Sequence, residues 1–200
     1  MPLQISSRGG DGITVPYGPI FDGVRKNSGF SDVRGRPDLA AQIAEGGTSK
    51  ALGNLLVRAA RENVYFSLGC DLGDHQELES PAGQRQVAGG YIQVAAINYS
   101  DATTDQYDEF GKAMASELRN LRKRAHSFHW RIELVGTWVK FCLPSEPAVT
   151  SPSMWIWFFA AARTKEKALA SRESLIGAIS DVFHMPKVTS TLLVDLHRER

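Results

Sequence analysis

Apolar and polar positions settle into two periods along the 200-residue chain. From Asn63 onward, "NVYFSLGCDL" and "YIQVAAINY" read as strands separated by a polar loop, "GDHQELESPAGQRQVAGG". "TTDQYDEFGKAMASELRNLRK" then places Tyr107, Phe110, Met114, Leu118 and Leu121 on one stripe of an α-helix. The same order recurs. "FHWRIELVGTWVKFCL" is strand material, "PSEPAVTSPS" a loop and "MWIWFFAAA" a strand. "TKEKALASRESLIGAISDVF" closes the second unit as a helix with a stripe through Leu169, Leu175, Ile176, Ile179 and Phe183. The pattern predicts an α+β fold. Its antiparallel sheet is built from a repeated strand–strand–helix unit, with both helices on one face.

Two local features refine that expectation. In "WRIELVGTWVKFCL" the bulky residues start on even positions (Trp130, Ile132, Leu134) and continue on odd ones (Val135, Val139, Phe141, Leu143). A strand alternates strictly, so Gly136–Thr137 is expected to mark either a tight hairpin or a β-bulge. The hairpin is preferred, because each half is already strand length. "MWIWFFAAA" is apolar at both parities and is expected to lie centrally or to be covered on its second face.

Residues 1–37 are rich in Gly, Ser, Pro, Asn and Asp and read as a flexible N-terminal arm. Residues 38–62 read as helical. "PDLAAQIAEGG" is a short helix stopped at Gly46–Gly47, and "TSKALGNLLVRAARE" restarts with Thr48 or Ser49 as N-cap and Leu52, Leu55, Leu56 and Ala59 on one face. Residues 38–200 then form a single α+β domain. Its first repeat spans 63–125, its second 126–186, and 187–200 form a tail.

The formal net charge of +1 conceals a segregation. Residues 1–62 carry 8 basic and 6 acidic side chains, residues 63–118 carry 2 and 9, and residues 119–200 carry 13 and 7. An acidic middle and a basic end can attract a second copy head to tail, bind an anionic partner through one face, or neutralise each other within the fold, which is the most common outcome. "RNLRKRAHSFHWR" (119–131) concentrates the positive charge. Much of it has a structural reason: the helix begins with Asp101, Asp105, Asp108 and Glu109 and ends with Arg119, Arg122, Lys123 and Arg124. That order complements the helix dipole at about 0.3–1 kcal/mol per contact. The excess, Arg122, Lys123 and Arg124 with Arg131, is a candidate patch for nucleic acid or anionic lipid.

No dinucleotide fingerprint, phosphate-cradling loop, nucleophile elbow or zinc spacing is present in the sequence, and no cofactor is predicted. Asp71, Asp74, His75, Glu77 and Glu79 form an acidic cluster. A solvated loop is the simplest reading. The alternatives are a protein-binding loop through Asp71, Asp74 and Glu77, as in a small inhibitor or immunity-type protein, and a metal-dependent hydrolase or nuclease using Asp71, Asp74 and His75. The four tryptophans, Trp130, Trp138, Trp155 and Trp157, fall in strands of the second repeat. Trp155 and Trp157 are candidate interface residues, since tryptophan dominates interface hot spots. Cys70 and Cys142 are expected as free thiols of a cytoplasmic protein, with no signal core and no membrane-spanning run.

The segment carrying Val135–Gly136–Thr137, Met154–Trp155–Ile156–Trp157 and the helix from Thr164 resembles the C-terminal part of rhabdovirus matrix proteins. The resemblance covers the last third of the chain. It implies a viral structural protein that self-associates and meets nucleocapsid or membrane. The arm departs from that family's pattern: "TVPYGP" holds Pro16–Tyr17 in place of a Pro-Pro-x-Tyr motif. The leading expectation is a non-enzymatic assembly or interaction protein.

Overall fold

The computed structural model describes residues 3–7, 13–21, 26–73, 76–78, 85–124, 129–144 and 146–192, with backbone alone at 3–7, 20–21, 26–27, 76–78, 122–124 and 129. In chain order the strands are β1 (Leu3–Ser7), β2 (Thr14–Val15), β3 (Ile20–Phe21) and β4 (Lys26–Asn27). Three helices follow, α1 (Pro37–Ala40), α2 (Ala44–Thr48) and α3 (Lys50–Glu62). Then come β5 (Tyr65–Asp71), β6 (Gln76–Leu78), β7 (Arg85–Ala96), α4 (Thr104–Arg124), β8 (His129–Phe141), β9 (Val149–Ala162), α5 (Lys165–Phe183) and α6 (Pro186–Thr189). The protein is thus a mixed α+β fold.

The long helices start and stop where local chemistry dictates. The Ser49 hydroxyl accepts the Leu52 N–H and opens α3, which ends at Asn63 in the left-handed conformation that Asn tolerates. Thr164 opens α5 by accepting the Lys167 N–H. The expected helix "PDLAAQIAEGG" is instead two short ones, and Gly46–Gly47 lie inside the second. Close packing explains this: a Cβ on Gly53 of α3 would sit 2.9 Å from the Gly46 carbonyl oxygen, so the two backbones need glycine where they meet.

The sheet runs β1-β8-β9-β7-β5, with β2 also pairing with β8 and β6 with β7. The pairs β8–β9, β9–β7 and β7–β5 are antiparallel. At one edge the all-antiparallel expectation is corrected. Both β1 and β2 run parallel to β8, along Ile132–Gly136 and Lys140–Phe141. The N-terminal segment therefore lies along the β8 edge, which would otherwise present unpaired backbone groups. Two expected loops also contribute to the sheet. Leu78 pairs with Arg85 and Gln76 with Val87, and β9 begins at Val149 within "PSEPAVTSPS".

The phase switch in "WRIELVGTWVKFCL" has a cause other than a hairpin or a bulge. β8 is one strand paired with β9 in unbroken register from His129↔Ala161 to Phe141↔Val149. What changes along it is the side on which the sheet is covered. Trp130, Ile132 and Leu134 join the main core under the helices, with Leu52, Leu56, Phe110, Met114, Leu175, Ile179 and Phe183. Val139 and Phe141 join a second core on the opposite face, with Val15, Phe66, Leu68, Ala95, Tyr99 and Leu143, against which Tyr17 and Phe30 pack. Trp138, on the helix-side parity but outside the main core, is 41% exposed. β9 is central, as its two-sided composition requires.

A candidate interaction face on the sheet

Cross-strand partners share a face of the sheet, so the registers place residues in rows. One row is Asp71 on β5, Tyr91 on β7, Trp157 on β9 and Glu133 on β8. The next is Gly69, Gln93, Trp155 and Val135. On the other side Gly89, Phe159 and Arg131 align. This face is opposite the helices. Even-numbered neighbours on β9 (Met154, Ile156, Phe158, Ala160) are buried in the main core, whereas Trp155, Trp157 and Phe159 stay half-exposed.

The centre of the face is aromatic. The Tyr91 ring lies 4.6 Å from Trp155 and 4.8 Å from Trp157, tilted by 48° and 49°, and the two indoles stack at 5.5 Å. Such ring pairs contribute beyond the area they cover, by about 0.5–1.5 kcal/mol each. The rings thus stand as one preformed block on two inner strands, β7 and β9. Burial, then the nearby Asp71 carboxylate, pushes the Tyr91 phenol up to about 12, so it remains a neutral donor. Phe159 lies across Gly89, where a Cβ would meet its Cδ1 at 2.7 Å.

Charges frame the block. Asp71 closes β5 in an exposed position. At the other side Arg131 is exposed and ion-paired with Glu133, which is the strand neighbour of Trp157. The structure therefore brings Asp71, Arg131, Trp155 and Trp157 to one face, although the sequence presents them as three unrelated candidates. Tyr91 was not singled out from the sequence. Its signal is the odd parity it shares against the buried Ile92 and Val94.

Asp74, His75 and Glu79 lie outside the described residues, as do the side chains of Glu77, Arg122, Lys123 and Arg124. Among the described residues no three His, Cys, Asp or Glu side chains converge as a metal site would require. Cys70 and Cys142 are free, and burial, reinforced by Glu45 and Asp71, pushes the Cys70 thiol up to about 12. No described helix is long and apolar enough to cross a membrane. Compared with known protein families, curated proteins and solved structures, the chain finds no match.

Proposed function

We propose that the chain is a non-enzymatic assembly protein that self-associates through the aromatic face of its sheet, with a viral matrix-type role as the concrete version. The observation that carries this is the half-exposed Tyr91–Trp155–Trp157 block, framed by an exposed acid and an exposed base. Clustered tryptophans and a tyrosine, ringed by charge, are the composition of an interface hot spot. Sedimentation velocity over a range of protein concentration and salt tests it. The wild-type chain shifts to larger species as concentration rises, and Trp155→Thr/Trp157→Thr stays a monomer with its melting transition retained. A wild-type chain that remains monomeric throughout removes the proposal.

A second reading, contact with an anionic surface, is favoured by one observation. Arg131, Arg163, Lys165 and Lys167 are exposed around the end of the sheet where β8 begins and β9 finishes, and α4 leads there through Arg122, Lys123 and Arg124. Binding to phosphatidylserine vesicles or RNA then falls steeply with salt and is lost on reversing the charges at 122–124. Binding that ignores the reversal excludes the patch. We also read β5–β7–α4 and β8–β9–α5 as two copies of one strand–strand–helix unit, supported by their order and their antiparallel pairing.

A further inference from the structure

A cavity of about 250 Å³ lies at the β5 end of the strand order. Three walls meet there. Tyr17 and residues 28–31 form one, residues 39 and 42–45 across α1–α2 form the second, and Ser67–Cys70 of β5 form the third. β5 is the terminal strand of the sheet order, and its register shifts between Ser67 and Gly69, so Leu68 is offset from the ladder. The Tyr17 hydroxyl donates to the Leu68 carbonyl at 2.9 Å and pins one end of the groove. The volume is below the range of about 300–1,000 Å³ that cofactors and drug-sized ligands occupy. It fits a single side chain.

The wall chemistry selects which kind. Phe30, Leu39, Ile43 and Leu68 supply apolar surface for a stem. Among the described residues no Lys, Arg or His lines the cavity, and Glu45 is the one acidic residue in its wall. Glu45 is half-buried, and among the described residues its carboxylate makes no hydrogen bond or ion pair. A carboxylate drawn partly out of water and left without a cation is an incomplete arrangement. Asp71, next in sequence after the wall residue Cys70, adds negative potential at the same end of β5, and both acids act on the Cys70 thiol. From these residues we infer that the cleft binds a lysine or arginine side chain carried on an extended peptide segment. The segment lies along the outer edge of β5, its apolar stem crosses Phe30 and Ile43, and its cation reaches Glu45. Strand addition to a sheet edge with a pocket for alternate side chains is an established mode of peptide capture. This site adjoins the aromatic face through Gly69 and Asp71 but uses other groups for its ligand, and it stands whether or not the chain self-associates.

Calorimetry on the full chain tests it with two capped pentapeptides, Ser-Val-Lys-Val-Ser and its norleucine twin. The lysine peptide binds about tenfold or more tightly than the twin, and the preference shrinks as salt rises. Glu45→Gln, nearly isosteric, removes the preference while leaving the weak binding common to both peptides. Gln42 is exposed on the rim, so Gln42→Lys places a competing cation in the cleft and lowers lysine-peptide affinity in a chain whose fold is not at risk. Butylamine, which has the cation and stem but no backbone, binds far more weakly. Equal affinity for the twins, a lysine preference that survives Glu45→Gln, or butylamine binding as tight as the peptide would each overturn the inference.

Discussion

Leu134 and Phe141 lie on one unbroken strand, both fully buried, and point to opposite sides of the sheet. One belongs to the core beneath the helices and the other to the core closed by the N-terminal segment. At about 3.3 Å per residue they are roughly 23 Å apart, too far for shared partners. Leu134→Ala should cost about 2–5 kcal/mol and Phe141→Ala about 3–5 kcal/mol, and the double variant should equal their sum to within about 0.5 kcal/mol. Urea denaturation measures all three. Strong coupling would mean that the two cores are one.

Glycines give a sharper test of the same strand assignment. A Cβ on Gly136 meets nothing within 4 Å, whereas one on Gly90 would sit 2.3 Å from the Asp71 carbonyl oxygen and 3.0 Å from Phe158 Cζ. Gly136→Ala should therefore be tolerated, or stabilise by up to about 1 kcal/mol by restricting the unfolded chain. Gly90→Ala should destabilise by about 1–3 kcal/mol or more, because backbone cannot yield as a side chain can. A tight hairpin at Gly136 would reverse the first result. Denaturation midpoints decide it.

These two glycines show where sequence reading succeeds and where it stops. The helical stripes were legible because each helix buries a single face: Leu52, Leu55, Leu56 and Ala59 on α3 and Tyr107, Phe110, Met114 and Leu118 on α4 are all buried. The strands were legible as elements, but Gly89–Gly90 read as the end of a loop. They lie inside β7 because neighbouring backbone and Phe159 occupy the space a side chain would need, and spacing along a sequence carries no such information. The phase switch on β8 was visible and misread for a related reason. Periodicity reports which side of a strand is buried, and a change of covering layer looks the same as a bend. Trp155 and Trp157 were legible as interface candidates. Their meeting with Tyr91 depends on register between β7 and β9, which no local pattern encodes.

His184 provides a pH dependence. Its Nδ1 lies against the Ser180 carbonyl, which can only accept, so Nδ1 carries the proton and Nε2 accepts from the Tyr65 hydroxyl at 3.2 Å. Burial is the main reason its pKa falls below the usual 6.5, outweighing the Ser180 bond and the Glu62 carboxylate that favour the charged form. A folded pKa below the unfolded one means that the contribution is complete above about pH 6.5 and is lost as pH falls through the folded value. Stability should therefore decline on going from pH 7.5 to pH 5. His184→Gln, which keeps polar atoms without the titration, should flatten that slope. Melting temperatures of both proteins against pH test it, and an equal slope in the variant would assign the dependence to other groups.

Arg34 ties the N-terminal segment to the second core, and its removal has a signature that simple loss of packing lacks. Its guanidinium lies 5.2 Å from the Phe66 ring centroid and 5.7 Å from that of Tyr99, and it pairs with Asp32 at 2.7 Å and Glu146 at 2.8 Å. The Tyr99 hydroxyl also donates to Glu146. Burial raises the Asp32 pKa, but hydrogen bonds from Arg34 more than offset it, and Arg34 followed by Tyr99 holds Glu146 below the usual carboxylate range. Both acids thus have folded pKa values below their unfolded ones. Their stabilisation is present above about pH 4.5 and disappears as pH falls through the lower folded values. The acids are partly exposed, so screening keeps the ion-pair share small, and most of the expected cost of Arg34→Gln, about 1–2 kcal/mol at pH 7, comes from stacking over the two rings. The variant should also lose the acid-dependent part of the stability difference. Its curve should converge toward wild type between about pH 5 and pH 3, where the carboxylates become protonated in both proteins. Parallel curves across that range would show that Arg34 acts through the rings alone.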